Sequence, residues 1–269
     1  MKIIKSLQNS HFKKLKKLSK NKFNKKGREF IIEGLKEITL AFDSDIKIKK
    51  IYFRNEKPME FDVSLSKEIE IFYLNKKLFD LLTYRNSSSK VIAVADKKSY
   101  SLDDIYLKKN SILLILENIE KPGNLGAILR TADGMSVSGI IIIDSKINIY
   151  NPNVIRSSVG SVFNIPIIKT NREGAIEFLV QNKFNLYNTI ISKNSQNYLD
   201  IDYSGNIAVA FGSENQGLSK NWRLNKAKEI YIEMSGKNDS FNLSVSVGIV
   251  LSEIVRQTKW FFLGLKTKN

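Results

Sequence analysis

Asn124 and Arg130 place an amide and a guanidinium six residues apart, within the stretch ILLILENIEKPGNLGAILRTA that covers residues 112–132. Both side chains can hold a polar or anionic ligand by hydrogen bonds, and both lie close enough to one turn to reach the same crevice. Two further stretches carry polar residues beside glycine. Residues 212–218 read GSENQGL and include Glu214, and residues 235–242 read SGKNDSFN and include Ser240 and Asn242. All three stretches follow apolar runs of strand length. In a parallel sheet such loops gather at one edge and form one pocket. The dinucleotide fingerprint G-x-G-x-x-G and the phosphate-loop pattern ending in G-K-[ST] are absent from all three, so a nucleotide-type ligand would be held through backbone amides and carbonyls. The plain alternatives are a βα turn with a surface arginine at 130 and helix-capping roles for Asn124 and Ser240.

The elements that must position these residues can be read from the pattern. Residues 112–116 are continuously apolar and β-branched, which suits a strand buried on both faces. Lys121-Pro122-Gly123-Asn124 has turn chemistry, and Asn124 is a suitable cap for a helix over residues 125–132. Strands are expected at 140–143, 165–168, 184–190, 207–211 and 230–234, with a helix at 173–181. Residues 242–257 are apolar with small residues and read as a buried helix. No internal repeat is present.

Before residue 97 the pattern is that of a smaller α/β unit. Strands are expected at 30–34, 48–53, 69–74 and 91–95, and helices at 35–42 and 76–82. Residues 84–89, YRNSSS, form a polar loop whose Arg85 can contact phosphate. Residues 1–26 are a basic, helix-like arm: Phe12, Leu15 and Leu18 recur at helical spacing among Lys13, Lys14, Lys16, Lys17 and Lys20, and Lys22, Lys25 and Lys26 extend the charge. Such a helix can lie on RNA phosphates or on a membrane, or pack by its apolar stripe as an ordinary solvated helix. The resulting division is an N-terminal unit over 1–96, a linker over 97–110 and a C-terminal unit over 111–269.

Composition narrows the class. The 269 residues are 42% hydrophobic, enough for a sizeable core. Forty-three Lys and Arg against 27 Asp and Glu give a formal charge of +16, which points to a polyanionic partner, nucleic acid before an anionic membrane. An AT-rich genome also raises Lys. With no Cys and a single His there is no disulfide framework, no thiolate or multi-His metal site and no His-based triad, so no metal is expected. No apolar run reaches the length of a membrane span, and a cytoplasmic location is expected.

Three motifs in order, NLGAILRTA (124–132), AFGSENQGL (210–218) and IEMSG…SFNLSVSV (232–247), together resemble the SpoU (TrmH-like) family of RNA ribose methyltransferases of the SPOUT superfamily. The resemblance covers 111 to about 259. Residues 28–95 more weakly resemble that family's ribosomal-protein-like substrate-binding domain, opening on FIIEG at 30–34. Where family members usually carry Pro and Leu, this chain has Glu233 and Phe241. The resemblance implies an α/β fold with a C-terminal trefoil knot, S-adenosylmethionine as methyl donor, structured RNA as substrate (rRNA ahead of tRNA) and a homodimer with helix 242–257 as an interface element. It also implies that Gly212, Ile232, Met234, Phe241 and Leu243 line the cofactor site, and that Arg130, Asn124, Glu214, Ser240 and Asn242 form the catalytic set.

Methyl transfer to a ribose 2′-hydroxyl requires that the hydroxyl be aligned, its proton removed and the donor bound. Arg130 is the family's catalytic residue. A guanidinium deprotonates too reluctantly to be the base, so Arg130 is expected to grip the adjacent phosphate and stabilise developing oxyanion charge. Asn124 would position Arg130 or the ribose, and Glu214 would orient Arg130 or accept a proton. Ser244 and Ser246 are read as helix packing. The rival from another class is a non-catalytic RNA-binding protein that keeps the fold. A SPOUT enzyme acting on a base is disfavoured by the Asn124/Arg130 pair.

Overall fold

The computed structural model describes residues 2–20, 27–54, 69–83, 88–219, 222 and 227–258. The chain forms two compact units, Met1–Lys98 with Asn148–Asn164, and Ser99–Ile147 with Ile165–Asn269. It therefore passes from one unit to the other three times.

The first unit contains β1 (Lys2–Ile4), α1 (Ser10–Lys20), β2 (Glu29–Glu33), α2 (Leu35–Asp43), β3 (Ile48–Arg54), β4 (Glu70–Leu74), α3 (Lys76–Asp80) and β5 (Val91–Asp96). Its mixed sheet has the order β1-β4-β3-β5-β2. The expected strands and helices are all present. The basic N-terminal segment is a packed helix: Phe12 and Leu15 of α1 are buried in a core with Ile4, Phe72 and Leu74, and Leu18 packs against it. Lys13, Lys14 and Lys17 stay exposed, as the amphipathic spacing dictates. Lys22, Lys25, Lys26 and Arg85 lie outside the described residues.

The second unit begins within the stretch expected to be a linker. Ser101 and Asp104 form a capping box around a short 3₁₀ turn, Leu102–Asp104, and Ile105 is buried in the unit's core beside Leu113 and Ile115. Then come β6 (Ile112–Glu117), α4 (Pro122–Gly134) and β7 (Gly139–Ile143). The next helix, α5 (Pro152–Ser157), belongs to the first unit. There Tyr150 stacks on Phe30 at 4.2 Å between centroids, and its hydroxyl donates to the Lys98 carbonyl at 2.6 Å. The chain returns with β8 (Ile167–Lys169), α6 (Arg172–Gln181), β9 (Phe184–Thr189), β10 (Gln196–Asn197), β11 (Asn206–Phe211), β12 (Lys228–Tyr231) and α7 (Leu243–Thr258).

These strands form a seven-stranded sheet in the order β10-β12-β9-β11-β6-β7-β8. Every pairing is parallel. β6 is an interior strand between β11 and β7, and all six of its residues are buried, as the apolar run over its first five suits. The parallel arrangement sends the carboxyl ends of β6, β9, β11 and β12 to one edge.

Two of the boundaries that differ from those expected bear on the site. α4 begins at Pro122 with Lys121 as its N-cap residue, so Asn124 is inside the first turn and does not cap the helix. Proline at the first helical position accounts for this: its fixed φ suits the helix, and its missing N–H would have had no helical partner there. β12 stops at Tyr231, so Ile232 and Met234 lie in the following loop.

Candidate functional site

A cleft of about 380 Å³ opens at the shared strand edge of the second unit. All five residues expected to contact a cofactor, Gly212, Ile232, Met234, Phe241 and Leu243, line it, as do Glu214 and Ser240. Its lining includes apolar side chains such as Ile190, Leu243 and Val250 together with polar groups of Ser213 and Ser246. Phe241, where the family pattern has Leu, is 39% exposed at this cleft. Glu233, at the other departure, is exposed, and its carboxylate accepts from Asn197 Nδ2 at 3.5 Å.

Gly212 is held by its own loop. Ser213 and Gly217 form a bridge, with the Gly217 N–H donating to the Ser213 carbonyl at 2.8 Å. A Cβ at 212 would sit 1.9 Å from the Gly217 carbonyl carbon. The glycine is thus required by the closeness of two backbone segments within the loop, before any ligand is considered. Gly217 has φ +65°, the left-handed region that glycine adopts without strain.

A polar cluster adjoins the cleft. Asn124 Nδ2 donates to Glu214 Oε1 at 2.6 Å, and Asn242 Nδ2 donates to the same oxygen at 3.1 Å and to Asn124 Oδ1 at 3.3 Å. Lys121 Nζ makes an ion pair with Glu214 Oε2. The Lys121 ammonium bonded to Glu214 holds its carboxyl below the usual carboxylate range; burial opposes this, and Asn124 and the Leu243 backbone N–H add to the lowering. Three of the expected catalytic residues, on three different loops or helix ends, are thereby brought into one hydrogen-bonded group. Glu214 belongs both to this group and to the cleft wall.

Asn242 also caps α7, its Oδ1 accepting from the Ser244 N–H at 3.0 Å and the Ser244 hydroxyl at 2.7 Å. The capping role open to Ser240 therefore falls to Asn242, while Ser240 faces the cleft.

Arg130 is not part of this assembly. It is exposed on α4 and does not line the cleft. Six residues of helix put it about 120° around the axis from Asn124, so the two side chains leave α4 on different faces.

Sequence reading missed several residues at the site. Thr189, Ile190 and Ile191, at and after the end of β9, form part of the cleft wall. Their signal was available: an apolar strand followed by Ser192-Lys193-Asn194, the same strand-then-polar-turn pattern as the other three loops. Ser246, read as helix packing, lines the cleft. Lys121, read only as a turn residue, is the cation bonded to Glu214.

Behind the cleft, Glu117 ends β6 with its side chain fully buried. It accepts from Arg172 Nη2 at 2.6 Å, the Ser219 N–H at 2.7 Å, the Ser219 hydroxyl at 2.9 Å and the Trp222 indole N–H at 3.1 Å. Burial pushes this carboxyl up, but the Ser219, Arg172 and Trp222 donors outweigh it and hold the group below the ordinary range. Breaking such a buried pair by removing one partner typically costs about 3–5 kcal/mol.

Among the described residues no helix is long and apolar enough to cross a membrane, and no group of three or more His, Cys, Asp or Glu could hold a metal ion.

Comparison with known proteins places this site in context. Residues 111–252 match the SpoU rRNA Methylase family, and residues 9–93 match the MRM3-like substrate binding domain. The chain is 26% identical over 251 residues to the 23S rRNA (guanosine(2553)-2′-O)-methyltransferase RlmP of Bacillus subtilis (strain 168), covering 93% of this chain and 98% of that protein. It is 24% identical over 261 residues to the 23S rRNA (uridine(2479)-2′-O)-methyltransferase of Streptomyces viridochromogenes, covering 93% and 91%. Among solved structures, the AdoMet-bound rRNA methyltransferase from Sinorhizobium meliloti superposes with a TM-score of 0.87 at 29% identity, covering 96% of this chain and 98% of that one.

Proposed function

The chain belongs to the SpoU rRNA methylase family, and on that premise we propose that it is an enzyme transferring a methyl group from S-adenosylmethionine to a ribose 2′-hydroxyl of ribosomal RNA. The observation that carries this reading is the cleft and polar cluster joined through Glu214. At about 380 Å³ the cleft falls within the about 300–1,000 Å³ of small-molecule sites. Its apolar lining suits a purine ring, and its serines and loop backbone suit an amino acid and a ribose. Gly212, Ile232, Met234, Phe241 and Leu243 would hold the cofactor there. Bound S-adenosylmethionine supplies an electrophilic methyl group on a sulfonium.

The chain's own residues then have to present the hydroxyl. Asn124, Asn242 and Glu214 form a rigid acceptor–donor group beside the cleft, able to fix a ribose at its edge. Lys121 keeps Glu214 charged, which suits orientation and acceptance of a hydrogen bond. Ser240 faces the cleft and can donate to either ligand. Arg130 takes the adjacent phosphate and steadies alkoxide charge. Its position on the exposed face of α4 means that RNA, or a second copy of the chain, must bring the reacting groups to it. We take the assembly to be a homodimer, with α7, whose Val245 is 46% exposed, at the interface.

The sheet order supports a knotted C-terminal region. β12 lies beyond β9, and α7 then returns to pack on α4. The +16 charge and exposed lysines of α1 support RNA capture by the first unit. We place the protein in the cytoplasm, where ribosomal RNA is found. Against the alternative of a non-catalytic RNA binder stands the intact cluster: binding RNA alone needs no Asn124–Glu214–Asn242 group beside a small-molecule cleft.

The test is calorimetric titration of the full chain with S-adenosylmethionine, followed by ribose-methylation mapping of ribosomal and transfer RNA from a deletion strain. Binding together with one missing 2′-O-methyl in ribosomal RNA is expected. A site missing from transfer RNA alone would move the substrate, and no missing site with no cofactor binding would make the protein a non-catalytic RNA binder.

A further inference from the structure

Loop 212–218 forms one wall of the cleft, and its incoming end is fixed because β11 pairs with both β6 and β9. On its outgoing side, Ser219 and Trp222 are held by side chains that do not touch the cleft. Glu117, at the end of β6, receives the Ser219 N–H at 2.7 Å, the Ser219 hydroxyl at 2.9 Å and the Trp222 indole at 3.1 Å. From β9, the Asn188 amide donates to the Trp222 carbonyl at 2.7 Å. Asn188 and Trp222 are both fully buried, and Asn188 immediately precedes the cleft residue Thr189. Both ends of the loop are therefore tied to the same two strands, β6 and β9, and the hydrogen-bond donors on the outgoing end converge on one buried carboxylate.

We propose that Glu117, acting through Ser219 and Trp222, is a positioning residue that sets the width of the cofactor cleft. This rests on the reading of that cleft as the S-adenosylmethionine site. Only a carboxylate satisfies the arrangement. All four groups facing Glu117 are donors, and Oε1 alone takes Arg172, the Ser219 hydroxyl and Trp222. An amide of the same shape would turn an NH₂ toward at least one N–H, setting donor against donor where water cannot intervene. The loop would then keep its Ser213–Gly217 closure but lose its hold on β6. Hydrogen-bond partners that orient a binding group contribute to affinity without touching the ligand.

The experiment uses full-length wild type, Glu117→Gln and Trp222→Phe. Binding of S-adenosylmethionine is measured by calorimetry, and single-turnover methylation is measured against cofactor concentration. Glu117→Gln should bind the cofactor about tenfold or more weakly, as a buried donor left unpaired predicts, and its KM should rise in parallel. The rate at saturating cofactor should fall far less than the affinity. Trp222→Phe keeps an aromatic ring and loses one donor, so it should shift KM in the same direction by a smaller factor; it also serves as the test if Glu117→Gln does not fold. If either variant is less heat-stable yet binds S-adenosylmethionine as tightly as wild type, the clamp is merely structural and the proposal is wrong. If wild type itself does not bind S-adenosylmethionine, the cofactor reading fails first, by a different result.

Discussion

Asn124 Nδ2 lies 2.6 Å from Glu214 Oε1, joining the helix after β6 to the loop after β11 through a single side-chain hydrogen bond. Ninety residues separate the partners in sequence. Asn242 reaches the same oxygen from the start of α7. Pro122 starts the helix two residues before Asn124, so this amide does not cap it and is committed across the site instead.

Glu214 is an orienting carboxylate in this arrangement. Its folded pKa is lowered, chiefly by Lys121, so it stays ionised through the neutral range. A lowered pKa means that its contribution is complete above the unfolded carboxylate value, about 4.3, and is lost as pH falls through the still lower folded value. Methylation measured from about pH 6 to 9 should therefore show no limb belonging to Glu214. Glu214→Gln should lower the rate without moving the profile. A limb near neutrality that vanishes in the glutamine variant would instead make Glu214 the titrating base.

Arg130 separates an enzyme from a binding relic. Because it does not line the cleft, Arg130→Ala should bind S-adenosylmethionine as wild type does. Methylation should fall by about 100-fold or more, the usual loss for a charge-stabilising contact made in the transition state. Arg130→Lys should recover little, since the planar fork is lost with the guanidinium. Single-turnover assays at saturating cofactor decide the matter: an alanine variant within about threefold of wild type, well short of that loss, would remove Arg130 from the mechanism.

Gly212 and Gly123 make a matched pair. A methyl group at 212 would meet the Gly217 backbone at 1.9 Å, whereas at 123 nothing lies within 4 Å. Gly212→Ala should abolish cofactor binding and lower Tm, because the loop must open to admit one carbon. Gly123→Ala, inside α4, should be neutral or stabilising by up to about 1 kcal/mol. Thermal melts and cofactor titrations of the two proteins test this. Equal losses in both would show that close approach at 212 is not the cause.

RNA capture should depend on charge carried by α1. Deletion of residues 1–96 is a poor probe, because Asn148–Asn164 would lose the rest of its unit. Reversal of the exposed Lys13 and Lys17 to Glu leaves the buried Phe12 and Leu15 in place. Affinity for ribosomal RNA should fall, and the slope of log K against log salt should shrink by about 0.7–0.9 for each phosphate contact removed. Cofactor affinity should not change. An unaltered salt slope would show that α1 is not on the RNA.

Much of the second unit was legible because its strands are buried on both faces. Residues 112–116 and 140–143 are unbroken apolar runs that only a covered parallel sheet accommodates. The position of the cleft was legible for the same reason, since loops following such strands share an edge. Residues were missed where their partners are distant in sequence. Glu117 reads as the polar end of an apolar run, and only the fold shows the donors of Ser219, Trp222 and Arg172 around it. Likewise 148–164 carries no mark in its own residues that Phe30 is its neighbour. Arg130 shows the opposite error. Spacing along the helix placed it near Asn124, while rotation about the helix axis turned it elsewhere.

The three passages of the chain between units bear on how the protein is made. A ribosome usually releases an N-terminal domain to fold before the next one emerges. Here the first unit lacks Tyr150 and α5 until residue 164 has emerged, and β6 and β7 emerge before it. Their apolar runs, Ile112–Glu117 and Gly139–Ile143, must wait for their later sheet partners, β11 beside β6 and β8 beside β7. Nascent chains of this protein thus carry apolar strands without their sheet partners while the intervening residues are made, the kind of exposure that makes folding intermediates prone to aggregate.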